Sequence, residues 1–168
     1  RGMPFVDLAF LRRCDLQGNV ITYHRRKTSR KLTVVVGKEA MEIIQKYMYA
    51  IPDSPYLFPI IQNPGKDEYG QYARMLRLQN YRLTQVANIL GIRDRLSTYT
   101  ARHTWATTAL RQNYNSSLIC DAMGHSSVKV TETYFQPYRD DEVNRMNSSL
   151  ITYILSKKKR GTDKKIRS

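Results

Sequence analysis

Three side chains of complementary chemistry occur in order along the second half of this chain. Arg102 lies in Tyr99-Thr-Ala-Arg102-His103-Thr-Trp105, His125 in Met123-Gly124-His125-Ser-Ser, and Tyr134 in Thr131-Glu-Thr-Tyr134. A guanidinium, an imidazole and a phenol are the groups needed to break a phosphodiester without a metal. A phenol, with a pKa of about 10, attacks poorly at neutral pH unless cations stabilise its developing charge. The transition state gathers negative charge on phosphate oxygens, which a bidentate arginine suits better than a lysine. The sequence offers no acidic cluster of the kind that holds a catalytic metal.

Composition points to the same class of substrate. Lys+Arg number 28 against Asp+Glu 14, a net charge of +14, so a polyanion is the simplest partner and the phosphate backbone the commonest polyanion. Hydrophobic residues make up 41% of the 168, enough for one domain with a real core. Cys14 and Cys120 show neither metal-binding nor disulfide-framework spacing and read as reduced thiols of a cytoplasmic protein. No apolar run approaches a membrane span, and no signal peptide is recognisable. Tyrosine occurs 12 times, so Tyr134 alone would read as an ordinary aromatic; its place after Gly124-His125 marks it out.

The elements that must position these groups follow from periodicity. Met3–Leu11 has helical spacing, with Pro4 tolerable only in a first turn. Val20–Arg26 alternates and Leu32–Val36 is β-branched, which predicts an antiparallel hairpin with its turn near Thr28-Ser29-Arg30. Arg25, Arg26, Lys27, Arg30 and Lys31 crowd that hairpin, and any of them could clamp a phosphate. Helices are expected over Lys38–Ala50, Gln71–Leu90, Thr100–Gln112, Ser116–Met123, Val128–Phe135 and Asp140–Leu155. Leu57-Phe58-Pro59-Ile60 reads as a short strand or extended segment. Residues 157–168 read as a basic, disordered tail. The expected class is α+β, mainly α-helical, with one small sheet near the N-terminus.

This order of parts resembles the catalytic domain of the tyrosine recombinase (phage integrase) family, and within it the integrases of gut-bacterial conjugative and mobilizable elements. The residues that carry the resemblance are Ala101-Arg102-His103-Thr104-Trp105-Ala106-Thr107, Met123-Gly124-His125-Ser126-Ser127 and Thr131-Glu132-Thr133-Tyr134. It covers residues 1–156, and the resemblance implies that the family domain's first residues and an N-terminal DNA-binding domain would precede them. The resemblance implies that Tyr134 is the nucleophile, forming a 3′-phosphotyrosine, while Arg102 and His125 hold the scissile phosphate. Lys27 matches the family's β-hairpin lysine, the general acid towards the 5′-oxygen. Neither ATP, metal nor another cofactor is implied. The partners implied are double-stranded DNA recombination sites and further copies of the chain, in a homotetramer joined through the C-terminal helix. No membrane is involved, and the location implied is the bacterial cytoplasm, on the nucleoid when bound.

Two positions depart from the family pattern. Tyr99 stands where a histidine is usual; it can donate to a phosphate but cannot act as an imidazole. Pro4 stands where the family's first arginine falls. Arg1, about one helical turn earlier, could supply that guanidinium, and Arg25 or Arg26 are the alternatives. Two other functions stay open from sequence: a DNA-binding regulator that keeps the fold without cleavage, and relaxation of DNA like that of a type IB topoisomerase.

Overall fold

The computed structural model describes residues 1–133 and 140–163, with side chains described through residue 153. The chain divides into two compact units, Arg1–Phe135 and Gln136–Ser168. In the first, α1 is Phe5–Ala9, α2 Lys38–Tyr47, α3 Glu68–Ile89, α4 Thr100–Arg111, α5 Ser116–Met123 and α6 Val128–Glu132. Its sheet comprises β1 (Leu16–Gln17), β2 (Val20–His24) and β3 (Lys31–Val35), in the order β1-β2-β3 with both pairs antiparallel. The second unit contains α7, Asp140–Asp163. Among the described residues no helix is long and apolar enough to cross a membrane.

The expected mainly helical class with one small sheet is therefore what the chain forms, with an extra strand. Leu16 pairs with Ile21 and Gln17 with Val20, leaving Gly18-Asn19 as a two-residue loop with Gly18 at φ +60°. Glycine at the first loop position gives the positive φ such a hairpin turn needs. That turn makes β1, a strand too short to show alternation in the sequence. In β2, Ile21 and Tyr23 face the core with Leu32 of β3, Leu11, Ile44 of α2 and Leu57. Leu57 donates its backbone N–H to the carbonyl of Leu11, and Tyr56 bridges Arg12, so the proline-rich stretch is tied to the core without forming a strand. A second apolar cluster, Ala106, Ile119 and Met123, joins α4 to α5.

Helix ends follow local chemistry. Pro4 caps α1 with extended backbone, because its ring fixes φ and it has no N–H to satisfy. The Asp67 carboxylate accepts from Gly70 N–H at the start of α3, and the Asn115 side chain accepts from Ser117 N–H at the start of α5. Gly124, at φ +64°, ends α5 and turns the chain into His125. The helix expected over Val128–Phe135 is described as far as Glu132; Tyr134 and Phe135 lie outside the described residues. α7 begins where expected and continues beyond Leu155 through part of the lysine-rich stretch, a composition that favours helix.

Candidate active site

Arg102 is in the first turn of α4, and His125 follows the α5 C-terminus. They meet because α4 and α5 pack through Ala106, Ile119 and Met123. Both are buried: Arg102 is 1% exposed and His125 2%. Arg102 Nη2 lies 2.8 Å from His125 Nε2 and donates to the Met123 carbonyl at 2.8 Å; Nη1 donates to the Gly2 carbonyl at 2.6 Å. Gly2 is required here on two counts. It holds φ +59°, and an added Cβ would come 2.8 Å from the Arg102 Cα.

The other imidazole nitrogen, Nδ1, is 2.7 Å from Thr131 Oγ1 on α6, and Thr131 is fully buried. A guanidinium can only donate, so in this arrangement Nε2 carries the lone pair and Nδ1 the proton. Burial pushes the His125 pKa down to about 4, and the positive charges of Arg102, Arg25 and Lys27 push in the same direction. The ring is thus neutral at physiological pH.

The hairpin turn docks on the loop that carries His125. Arg25 Nη1 donates to the Gly124 carbonyl at 2.7 Å, and Thr28 Oγ1 donates to the same oxygen at 3.0 Å. Arg30 Nη1 donates to the His125 carbonyl at 2.6 Å and Nη2 to Asp121 Oδ1 at 2.9 Å. Gly124 lets the hairpin come this close: a Cβ there would meet Leu32 Cδ1 at 2.9 Å and Arg25 Cδ at 3.0 Å. Behind the turn, Asp7 is 3% exposed. It accepts from Arg26 N–H at 2.9 Å and lies 3.7 Å from Arg25 Nε. Burial raises its pKa, and these partners oppose the shift.

One cleft of about 290 Å³ brings several of these groups to a common space. Its walls include Pro4, Asp7, Arg25, Lys27, Tyr99 and His125. Lys27 is exposed on the turn, and Tyr99 stands edge-on to His103 with ring centroids 5.0 Å apart. Arg1 is elsewhere. It lines a mostly apolar cleft of about 620 Å³ between α4 and α5, beside Trp105 and Leu118. Arg26 lies over the Phe10 ring at 3.8 Å, and Lys31 is exposed at the start of β3 opposite His24. Arg30, expected as a phosphate clamp, uses its guanidinium on the His125 loop. Tyr134 lies outside the described residues. Among those described, no cluster of three or more His, Cys, Asp or Glu is placed to hold a metal ion.

Asp7 and Thr131 are the members that sequence reasoning passed over. Asp7 falls at helical spacing from Met3 and from the core residue Leu11, and a carboxylate at such a buried position requires a cationic partner. Thr131 carries no comparable signal, because a threonine within a short helix is usually just a surface residue.

The family model described as "Phage integrase family" matches residues 6–140. A tyrosine recombinase XerC from Thermodesulfovibrio yellowstonii is 25% identical over 131 residues, which cover 71% of this chain and 40% of that protein. A tyrosine recombinase from Pseudothermotoga lettingae is 32% identical over 60 residues, covering 36% of this chain and 21% of the relative. Among solved structures, XerA recombinase matches with TM-score 0.64 at 21% identity, over 88% of this chain and 53% of that one. XerH recombinase bound to its difH substrate, in a pre-cleavage complex, matches with TM-score 0.56 at 14% identity over 88% and 45%. These structures share the fold. The chain spans about half, or less, of the length of each of these proteins.

Proposed function

Because this chain belongs to the phage integrase family, we propose that it is the catalytic domain of a site-specific DNA recombinase that cuts and rejoins one strand at a time. The observation that carries this reading is the junction of Arg102 with His125 at 2.8 Å, with His125 opening onto the cleft that Lys27, Arg25 and Tyr99 also line. Tyr134 follows His125 by one short helix. In the proposed reaction the Tyr134 phenol gives its proton to water in the cleft, and its oxygen attacks phosphorus as the P–O5′ bond breaks. The leaving 5′-oxygen takes a proton from the Lys27 ammonium and becomes a 5′-hydroxyl. The 3′-phosphotyrosine keeps the ester energy, so reversal with a new 5′-hydroxyl completes strand exchange without ATP.

Charge stabilisation falls to Arg102 and His125, with Tyr99 as a further hydrogen-bond donor. The guanidinium that the family places at Pro4 is assigned to Arg25, which shares the cleft with His125, whereas Arg1 lines the other cleft. Arg26 and Lys31 contribute backbone attraction from the hairpin. The partners are double-stranded recombination sites and, on DNA, other copies of the chain, assembled as a tetramer through the apolar side of α7. Val143, Met146, Leu150 and Ile151 on that helix are exposed. Such a protein works in the bacterial cytoplasm, on the nucleoid.

The test is covalent capture. A nick beside the cleavage site lets the short 3′ fragment diffuse away and traps the adduct. Native protein should form a denaturant-stable adduct with a member of a pool of nicked duplexes, and Tyr134→Phe should form none. Pro4 in the cleft wall favours one rival, a DNA-binding regulator without cleavage. Sequence-specific binding with no adduct from the native chain would establish that rival and remove the enzyme reading.

A further inference from the structure

We propose that Thr131 is a positioning residue for His125: its hydroxyl accepts from Nδ1 in the resting site and donates to Nδ1 when Nε2 presents a proton to a phosphate oxygen. This rests on reading the cleft as a phosphate site. The resting half is fixed by the donors around the ring. Arg102 Nη2, 2.8 Å away, occupies the lone pair of Nε2, which leaves the proton on Nδ1 facing Thr131 Oγ1 at 2.7 Å. An imidazole in that state has nothing to offer a phosphate oxygen, which is itself an acceptor. To donate from Nε2, the ring must either gain a second proton or move its one proton across.

The surroundings select the second route. His125 is buried and feels the positive charges of Arg102, Arg25 and Lys27, while Asp7, paired with Arg25, is the carboxylate lining the same cleft. Burial and these cations disfavour a second proton on the resting ring, and with the ring kept neutral its one proton changes sides. In that exchange Nε2 takes a proton from water in the cleft and Nδ1 returns one to water during a local opening of the site; once the site closes, Nδ1 is an acceptor facing only Thr131, which is 0% exposed. The partner at Nδ1 must therefore serve both forms. A backbone carbonyl would only accept and would lock the proton on Nδ1; an ammonium or N–H would only donate. A hydroxyl has one donor and two acceptor sites and rotates between them without moving its oxygen. Thr131 also stands three residues before Tyr134. The same contact thus sets the imidazole against the segment that carries the proposed nucleophile.

The three histidines of the chain make the test direct, because each ring resolves separately in a nitrogen-15 spectrum. Native protein labelled at histidine should show His125 protonated on Nδ1 when free and on Nε2 when saturated with orthovanadate. A His125 ring that keeps its proton on Nδ1 in saturating vanadate overturns the proposal. Adduct formation with pooled nicked duplexes gives a second readout. Thr131→Val should slow it by about tenfold or more, while Thr131→Ser, which keeps the hydroxyl, should stay within about threefold of native. A valine variant as fast as native also overturns the idea. If that variant does not fold, the native spectra alone decide. Failure of the functional reading looks different: vanadate would exchange the tautomer, yet native protein would give no adduct with any duplex.

Discussion

Mild acid should weaken the first unit through His125. Its pKa falls from 6.5 in the unfolded chain to about 4 in the folded one, first because the ring is buried and then because Arg102, Arg25 and Lys27 face it. Between those values the unfolded chain binds the proton and the folded chain does not, so stability rises with pH. The contribution is complete above about pH 6.5 and is lost as pH falls towards 4. At about 1.4 kcal/mol per unit the full loss is about 3 kcal/mol. The ring borders an open cleft, and water reaching that side reduces this to about 2 kcal/mol. Urea unfolding of native protein and His125→Gln at a series of pH values isolates the effect. Asp7, whose pKa burial raises, acts with the opposite sign, but it is common to both proteins and cancels in the difference. Native protein should lose about 2 kcal/mol more than the variant between pH 7 and pH 4.5. Parallel curves over that range would refute the reasoning that His125 is held neutral by its neighbours.

Other changes test the supports of the site. Gly124→Ala forces a side chain into φ +64° and against Leu32 and Arg25, and should lower the urea-derived stability by about 1–3 kcal/mol. Asp7→Leu leaves Arg25, 6% exposed, without its carboxylate, and a loss of about 3 kcal/mol should appear in thermal melts. Arg30→Ala removes a half-exposed ion pair and one carbonyl contact; unfolding should shift by about 1 kcal/mol or less, while amide exchange over residues 25–30 should quicken markedly. Arg25→Lys keeps the charge but not the fork geometry, and adduct formation should drop by at least about tenfold with little change in DNA affinity.

The helices and the hairpin were legible because their signals are local. Apolar spacing placed the helices now described over Lys38–Tyr47, Glu68–Ile89 and Thr100–Arg111 within a few residues, and alternation placed Val20–His24 against Lys31–Val35. The first strand was missed because two residues carry no period; only Gly18-Asn19 signalled it. Arg102 and His125 were legible by residue type and order, and the structure brings them into contact. What the sequence hid was which of many cations does what. Arg25, Arg26 and Arg30 look alike in a row of letters. Their fates differ because Asp7, Phe10 and the Gly124–His125 carbonyls lie in different directions around one turn. Arg1 shows the same limit: one helical turn from Pro4 by count, it precedes α1, which starts only at Phe5, and lines another cleft.

The docking of the hairpin on the histidine loop uses main-chain oxygens as receivers on one side and side-chain donors on the other. Carbonyls are present whatever the residue, so on the receiving side these bonds depend on the backbone path that Gly124 sets rather than on side chains, while the donating turn must keep its own. The turn is therefore a portable part. A hairpin transplanted from a relative should seat correctly wherever it keeps arginines at positions 25 and 30 and a hydroxyl at 28. Under the role proposed for Lys27, exchanging that turn alone would alter the leaving-group chemistry and leave the helices beneath it untouched.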